Sequence, residues 1–149
     1  MTAQATQVYS VFVRATPEQL WNAITKPEFT SKYFYGSVID SSWEPGSPYL
    51  GWAADRSQQY VDGEVLEADP PRLLRHTWRS LYDEATAAEP HSRVTWEIEP
   101  QEGGVTKLTV VHDQLEASPK TADGVAGGWS YVLSGLKTLL ETGEPLASA

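Results

Sequence analysis

Between residues 37 and 113 the apolar side chains of this chain recur at every second position; beyond residue 118 they recur at every third or fourth. A period of two belongs to strands with one buried face, and a period of 3.6 to helices with one buried stripe. The alternating stretch divides into expected strands over 37–43, 49–54, 60–68, 73–80, 94–99 and 106–112. Turn residues separate several of them: Glu44-Pro45-Gly46-Ser47, Asp69-Pro70-Pro71 and Gln101-Glu102-Gly103-Gly104. Val94, Trp96 and Ile98 fall on one face, with Thr95, Glu97 and Glu99 on the other, so 94–99 and 106–112 read as a hairpin. Residues 82–92 break the pattern. They are polar and Ala-rich, and read as an extended mobile loop with one helical turn.

Both ends of this stretch are flanked by other signals. Residues 8–14 are β-branched and aromatic, which predicts a first strand. Thr16-Pro17-Glu18-Gln19 then carries a cap, a proline for the first helical position and a capping-box glutamine. A second capping-box spacing, Thr25 to Glu28, starts another short helix that Gly36 ends. At the far end Val125, Trp129, Val132, Leu136 and Leu139 form one stripe, widened by Leu133 and Leu140, and Gly143 stops it. One helix over 119–142 would be about 36 Å long. Seven strands make a sheet about 30 Å wide, so such a helix crosses it. Gly124, Gly127 and Gly128 weaken the start of that helix.

This order excludes a doubly wound fold, which needs strands and helices in alternation. The expected class is α+β: a seven-stranded antiparallel sheet wrapped around a long C-terminal helix, with two short helices after strand 1. The 149 residues fit one domain, 1–149. Residues 1–7 lack a basic and an apolar region, and no apolar run approaches a membrane span, so a cytoplasmic protein without membrane insertion is expected. A net charge of −9, with eleven basic residues scattered among twenty acids, argues against nucleic acid as a partner. Cysteine is absent, which removes thiolate chemistry and Cys-ligated metals.

Four groups of residues lie in order across nearly the whole chain. They are Thr16–Thr25 of the first helix; Gly63-Glu64-Val65 through Asp69-Pro70-Pro71-Arg72-Leu73 to Thr77-Trp78; Val94-Thr95-Trp96-Glu97-Ile98-Glu99-Pro100 with Val110-Val111-His112; and Gly128-Trp129 with Leu136 and Leu140-Glu141-Thr142-Gly143. In these the chain resembles the Aha1-like branch (activator of Hsp90 ATPase homologues) of the START-related helix-grip superfamily, also called SRPBCC. Members of this size are often uncharacterised bacterial proteins. The resemblance implies a sheet gripping the last helix and a deep hydrophobic cavity between them. The eukaryotic namesake stimulates the Hsp90 ATPase. Relatives in the wider superfamily bind lipids, sterols, plant hormones or polyketides, and some polyketide relatives catalyse cyclisation.

Six Trp and seven Tyr are a heavy aromatic load, of the kind that lines small-molecule sites or fills a core. Trp78 and Trp96 alternate inward on strands, and Trp129 lies on the helix stripe. By the same alternation His76 shares a face with Leu74 and Trp78, and His112 with Leu108 and Val110. The expected pocket lining is therefore Trp78, Trp96, His112, Trp129, His76, Val94, Ile98, Val110, Leu133 and Leu136. Each histidine is a polar handle of that pocket, a buried residue satisfied by a hydrogen bond, or a residue that reaches solvent at the sheet edge. No catalytic set, metal-ligand spacing or cofactor motif is present, so neither metal nor cofactor is expected. The leading functional expectation is a module that binds a hydrophobic or aromatic small molecule, lipid or polyketide-like. The alternatives are a protein-interaction or chaperone-accessory domain, including a homodimer, and a cyclase- or hydrolase-type enzyme using a pocket histidine.

Overall fold

In the computed structural model, which describes residues 4–147, seven strands form one antiparallel sheet in the order β1-β7-β6-β5-β4-β3-β2. They are β1 (Gln7–Val13), β2 (Ser37–Asp40), β3 (Pro48–Ala53), β4 (Gln59–Asp69), β5 (Leu73–Ser80), β6 (Ser92–Pro100) and β7 (Thr106–Asp113). From β2 to β7 the strands follow one another as a meander. β1 then joins the far edge beside β7, in a register that runs from Gln7 opposite His112 to Val13 opposite Thr106. The helices are α1 (Pro17–Thr25), α2 (Pro27–Tyr33), α3 (Glu84–Ala87), α4 (Pro119–Val125) and α5 (Gly128–Thr142). The expected α+β helix-grip class is the one observed.

The first helix starts where its residues dictate. Thr16 Oγ1 accepts from the Gln19 amide at 3.1 Å, and Gln19 Oε1 accepts from the Thr16 amide at 2.8 Å, which completes the capping box. The second start differs from the expectation. Thr25 still belongs to the last turn of α1, and its hydroxyl donates back to the Trp21 carbonyl at 2.8 Å. Lys26 therefore stands at the N-cap of α2, with no side-chain cap, and Pro27 opens the helix.

The C-terminal helical segment runs over Pro119–Thr142 as expected, but it is interrupted. Ala126 is extended and Gly127 sits at φ 80°, so α4 stops and α5 starts afresh. Only glycine adopts this left-handed backbone without strain. Trp129, Val132, Leu133, Leu136 and Leu139 of α5 are buried, which makes the periodic stripe the gripped face. A Cβ at Gly135 would lie 3.2 Å from the Tyr33 Cβ; its absence lets α5 cross α2 closely. At its far end α5 is tied to β1: Lys137 Nζ donates to the Phe12 carbonyl at 2.7 Å, and Glu141 accepts from the Arg14 amide at 2.7 Å.

β4 keeps one register with β5 from Val61 opposite Ser80, through Asp62 opposite Arg79, to Val65 opposite His76, and shifts once, between Val65 and Glu67. Such irregularities sharpen local twist. Gly63 stands just before this shift, where a Cβ would lie 2.0 Å from the Thr77 carbonyl oxygen. The Thr77 hydroxyl accepts the Glu64 amide at 2.8 Å, so the β-β contact is kept through a side chain. A methyl group at Gly63 meets backbone, which cannot rotate away. Gly63→Ala is expected to lower unfolding stability by about 3 kcal/mol or more, the upper part of the overpacking range. Urea unfolding measures it, and a loss below about 1 kcal/mol would show that this close approach does not need glycine.

Candidate functional site

Leu74, His76 and Trp78 of β5, Val94, Trp96 and Ile98 of β6, and Leu108, Val110 and His112 of β7 are all buried. They form the inner face of the sheet. Two pairs of polar atoms on this face meet each other. Trp96 Nε1 donates to His76 Nε2 at 3.0 Å, and Trp129 Nε1 donates to His112 Nδ1 at 3.0 Å. An indole N–H only donates, so each accepting nitrogen carries a lone pair. The hydrogen-bond network therefore assigns the tautomers. His76 holds its proton on Nδ1 and donates to the Thr77 carbonyl at 2.9 Å. His112 holds its proton on Nε2 and donates to Ser92 Oγ at 2.7 Å, and Ser92 in turn donates to the Trp78 carbonyl at 3.2 Å.

Both imidazoles are 0% exposed. Burial pushes the His76 pKa down to about 4, against which the Thr77 hydrogen bond acts only in part. Burial, reinforced by the neighbouring His76, pushes His112 down to about 3, with Asp113 opposing. Tyr49 stacks on His76 with centroids 3.7 Å apart. Both histidines are thus neutral, with both ring nitrogens engaged. A base must offer a lone pair to the proton it takes, and here the indoles occupy those lone pairs. Among the described residues no three His, Asp or Glu side chains gather to hold a metal.

In front of this layer lies a cavity of about 440 Å³. Its inner end is buried and apolar: Phe34, Val61, Trp78, Val125, Trp129 and Val132. The Phe34, Trp78 and Trp129 rings contact one another, with centroids 5.5 to 6.3 Å apart. The Trp78 indole N–H donates to Ser80 Oγ at 3.0 Å and that of Trp129 to His112, so neither indole N–H is left free at this end. Ser37 is also buried, its hydroxyl donating to the Phe34 carbonyl at 2.6 Å, and the outer end is formed by Tyr35, Tyr60, Tyr82, Gly124 and Gly128. Tyr35 is 61% exposed, holds a left-handed backbone at φ 52° and stacks on Tyr131 at 5.2 Å. No charged side chain is among the lining residues.

Of the ten residues expected at the pocket, Trp78 and Trp129 line this cavity. Trp96, His76 and His112 lie behind it in the hydrogen-bonded layer, and Val94, Ile98, Val110, Leu133 and Leu136 are in the packed core. Sequence reasoning missed Phe34, Tyr35, Tyr60, Tyr82 and the glycine wall as lining. The available signal was the glycine cluster at 124–128, which breaks the helix and leaves the mouth unfilled. Tyr82 comes from the segment expected to be a mobile loop. That segment is fastened: Asp83 caps α3 through the Thr86 amide, Glu89 accepts from both the amide and the hydroxyl of Thr121, and the Ser118 hydroxyl donates to the Pro90 carbonyl.

The buried histidines give the fold a pH dependence whose sign follows from linkage. Unfolded histidine titrates near ~6.5. Above that pH the rings are neutral in both states and contribute nothing. Below it the unfolded chain binds protons that the folded chain refuses until about pH 4 for His76 and about pH 3 for His112. Stability therefore falls as pH drops from about 6.5, by roughly 4 kcal/mol at pH 5 for two rings refusing a proton over ~1.5 units each. Urea unfolding between pH 7.5 and 5 checks this, and a flat profile would contradict the buried neutral assignment.

Similar architectures occur in solved structures. Protein MLL2253 from Mesorhizobium loti shares 27% identity with a TM-score of 0.74, covering 91% of this chain and 96% of its own. PFC0360w, an HSP90 activator from Plasmodium falciparum, shares 21% identity with a TM-score of 0.73, covering 93% and 97%. The Aha1 dimer from Colwellia psychrerythraea shares 17% identity with a TM-score of 0.72, covering 94% and 98%. No curated protein matches the chain. The match that reaches beyond fold is to the family of Activator of Hsp90 ATPase homolog 1-like proteins, whose model covers residues 14–141, from the strand–helix junction after β1 almost to the end of α5; the chain belongs to that family.

Proposed function

We propose that the chain is a small-molecule-binding module that holds a hydrophobic or aromatic ligand, lipid or polyketide-like, between the sheet and the C-terminal helices. The observation that carries this reading is the 440 Å³ cavity, with six aromatic side chains and no charge on its walls. Packed cores leave few voids larger than a water molecule, whereas ligand sites are apolar concavities of about 300–1,000 Å³. Trp78 and Trp129 are the proposed direct contacts. His76, Trp96 and His112 hold those contacts in place from behind, and the remaining predicted lining residues support them from the core.

A protein-interaction role is the second reading. The stacked pair Tyr35 and Tyr131 favours it, because both rings are exposed beside the mouth, at 61% and 42%. The two readings separate on a variant that fills the cavity without altering those rings. Gly124 lies within α4, and a Cβ there would touch only the Tyr82 hydroxyl, at 3.6 Å. Gly124→Leu therefore places a side chain in the opening while improving helix propensity by roughly 1 kcal/mol. With the neutral fluorophore N-phenyl-1-naphthylamine, the parent chain is expected to bind one equivalent. At about 100 times the dissociation constant it should gain about 2.7 kcal/mol of stability. Gly124→Leu is expected to be at least as stable as the parent and to lose binding at least about tenfold, about 1.4 kcal/mol. Equal binding by the variant, or no saturable binding by the parent, counts against a ligand in this cavity.

A further inference from the structure

We propose that the cavity selects a neutral aromatic molecule that enters apolar end first and leaves an oxygen substituent at the mouth, held by the hydroxyls of Tyr35 and Tyr82. This rests on the binding role proposed above and specifies its ligand. The buried tyrosine Tyr33 and the half-buried Tyr9 both spend their hydroxyls within the protein, on the Ala23 carbonyl at 2.7 Å and on Gln7 Oε1 at 2.9 Å. The hydroxyls of Tyr35 and Tyr82 make no hydrogen bond within the described residues. They stand against the glycine wall: the Tyr82 hydroxyl 3.6 Å from where a Gly124 Cβ would be, and the Tyr35 hydroxyl 3.7 Å from that of Gly128. Burial, then the neighbouring Tyr131 and Tyr82, raise the Tyr35 pKa. Tyr35 therefore remains a hydrogen-bond donor well past neutrality.

The two ends of the cavity ask for different chemistry. At the inner end the indole N–H groups of Trp78 and Trp129 are already spent on Ser80 and His112. A polar group pushed there would lose its water without replacement, at a cost. At the mouth, the phenols of Tyr35 and Tyr82, which face the glycine wall, can each donate and accept; Tyr60 also lines this end, and its hydroxyl too makes no hydrogen bond within the described residues. An anion finds no Lys, Arg or His on the walls and meets a chain of net charge −9. A cation finds aromatic faces but no carboxylate on the walls.

Four probes of one ring size test this by calorimetry: naphthalene, 2-naphthol, 2-naphthoate and 2-naphthyltrimethylammonium. The expected order places 2-naphthol about three- to tenfold tighter than naphthalene, the worth of one net hydrogen bond. 2-Naphthoate binds more weakly than naphthalene, and 2-naphthyltrimethylammonium, which has no hydrogen bond to offer the phenols, more weakly than 2-naphthol. In Tyr35→Phe/Tyr82→Phe, which removes two partnerless hydroxyls and no packing, 2-naphthol should fall to the affinity of naphthalene while naphthalene is unchanged. Either charged probe matching 2-naphthol, or a 2-naphthol preference that survives the double substitution, would overturn the proposal. Equal binding of naphthalene and 2-naphthol to the parent chain overturns it too, and leaves the binding role standing. If none of the four binds, the binding role itself fails.

Discussion

Two hydrogen bonds between an indole N–H and a neutral imidazole nitrogen set the interior of this protein. The Trp129–His112 bond joins α5 to β7. Through Ser92 and the Trp78 carbonyl it continues into β6 and β5. The Trp96–His76 bond links β6 to β5 beside it. Each such bond contributes only about 1 kcal/mol net, but a partner left unsatisfied in the core costs about 1–3 kcal/mol. Among the described residues no buried side-chain nitrogen or oxygen lacks a partner. The helix is thus held over the sheet by directional contacts at its first turn and by the Lys137 and Glu141 ties to β1 at its last. Apolar packing between them has no comparable directionality.

The cavity follows from the same arrangement. Because the indoles of Trp78 and Trp129 aim their N–H groups into the core, they leave an apolar floor against Phe34. Because α4 and α5 are separate helices, the helical layer opens at Gly124–Gly128 just above that floor. The β5–β6 connection brings Tyr82 to the opening and is fastened to α4 by Glu89. The α2–β2 turn brings Tyr35, whose left-handed backbone next to Gly36 turns its ring outward onto Tyr131. The shape of the site is therefore a consequence of two connections meeting around one helix break, over a floor built by the sheet.

Much of this was legible in the residues. Alternation located the strands of the meander, and it placed His76 and His112 on the inner face, where both are buried. Of the three readings open for them, the structure shows the hydrogen-bonded core histidine. Periodicity marked Trp129 through Leu139 as the gripped stripe, and Thr16 with Gln19 marked the start of α1. Alternation, however, distinguishes inward from outward and says nothing of depth. Trp78 and Trp96 both point inward, yet Trp78 reaches the cavity and Trp96 lies behind it, because the position of α5 decides which inner residues are covered. That position depends on Gly127 at φ 80°, and a stripe that runs on through 125 and 129 hides the break. Tyr35 and Tyr82 lie in connections, where no period exists to mark them.

The central claim is that the two imidazoles are neutral acceptors of indole N–H groups, and so form the scaffold of the site instead of its reactive groups. Scalar coupling across N–H···N hydrogen bonds, measured by NMR on ¹⁵N-labelled protein near neutral pH, tests it most directly. Cross-peaks should connect Trp96 Nε1 with His76 Nε2, and Trp129 Nε1 with His112 Nδ1. Absence of both couplings, with ring nitrogens that titrate near the ordinary histidine value, would contradict it.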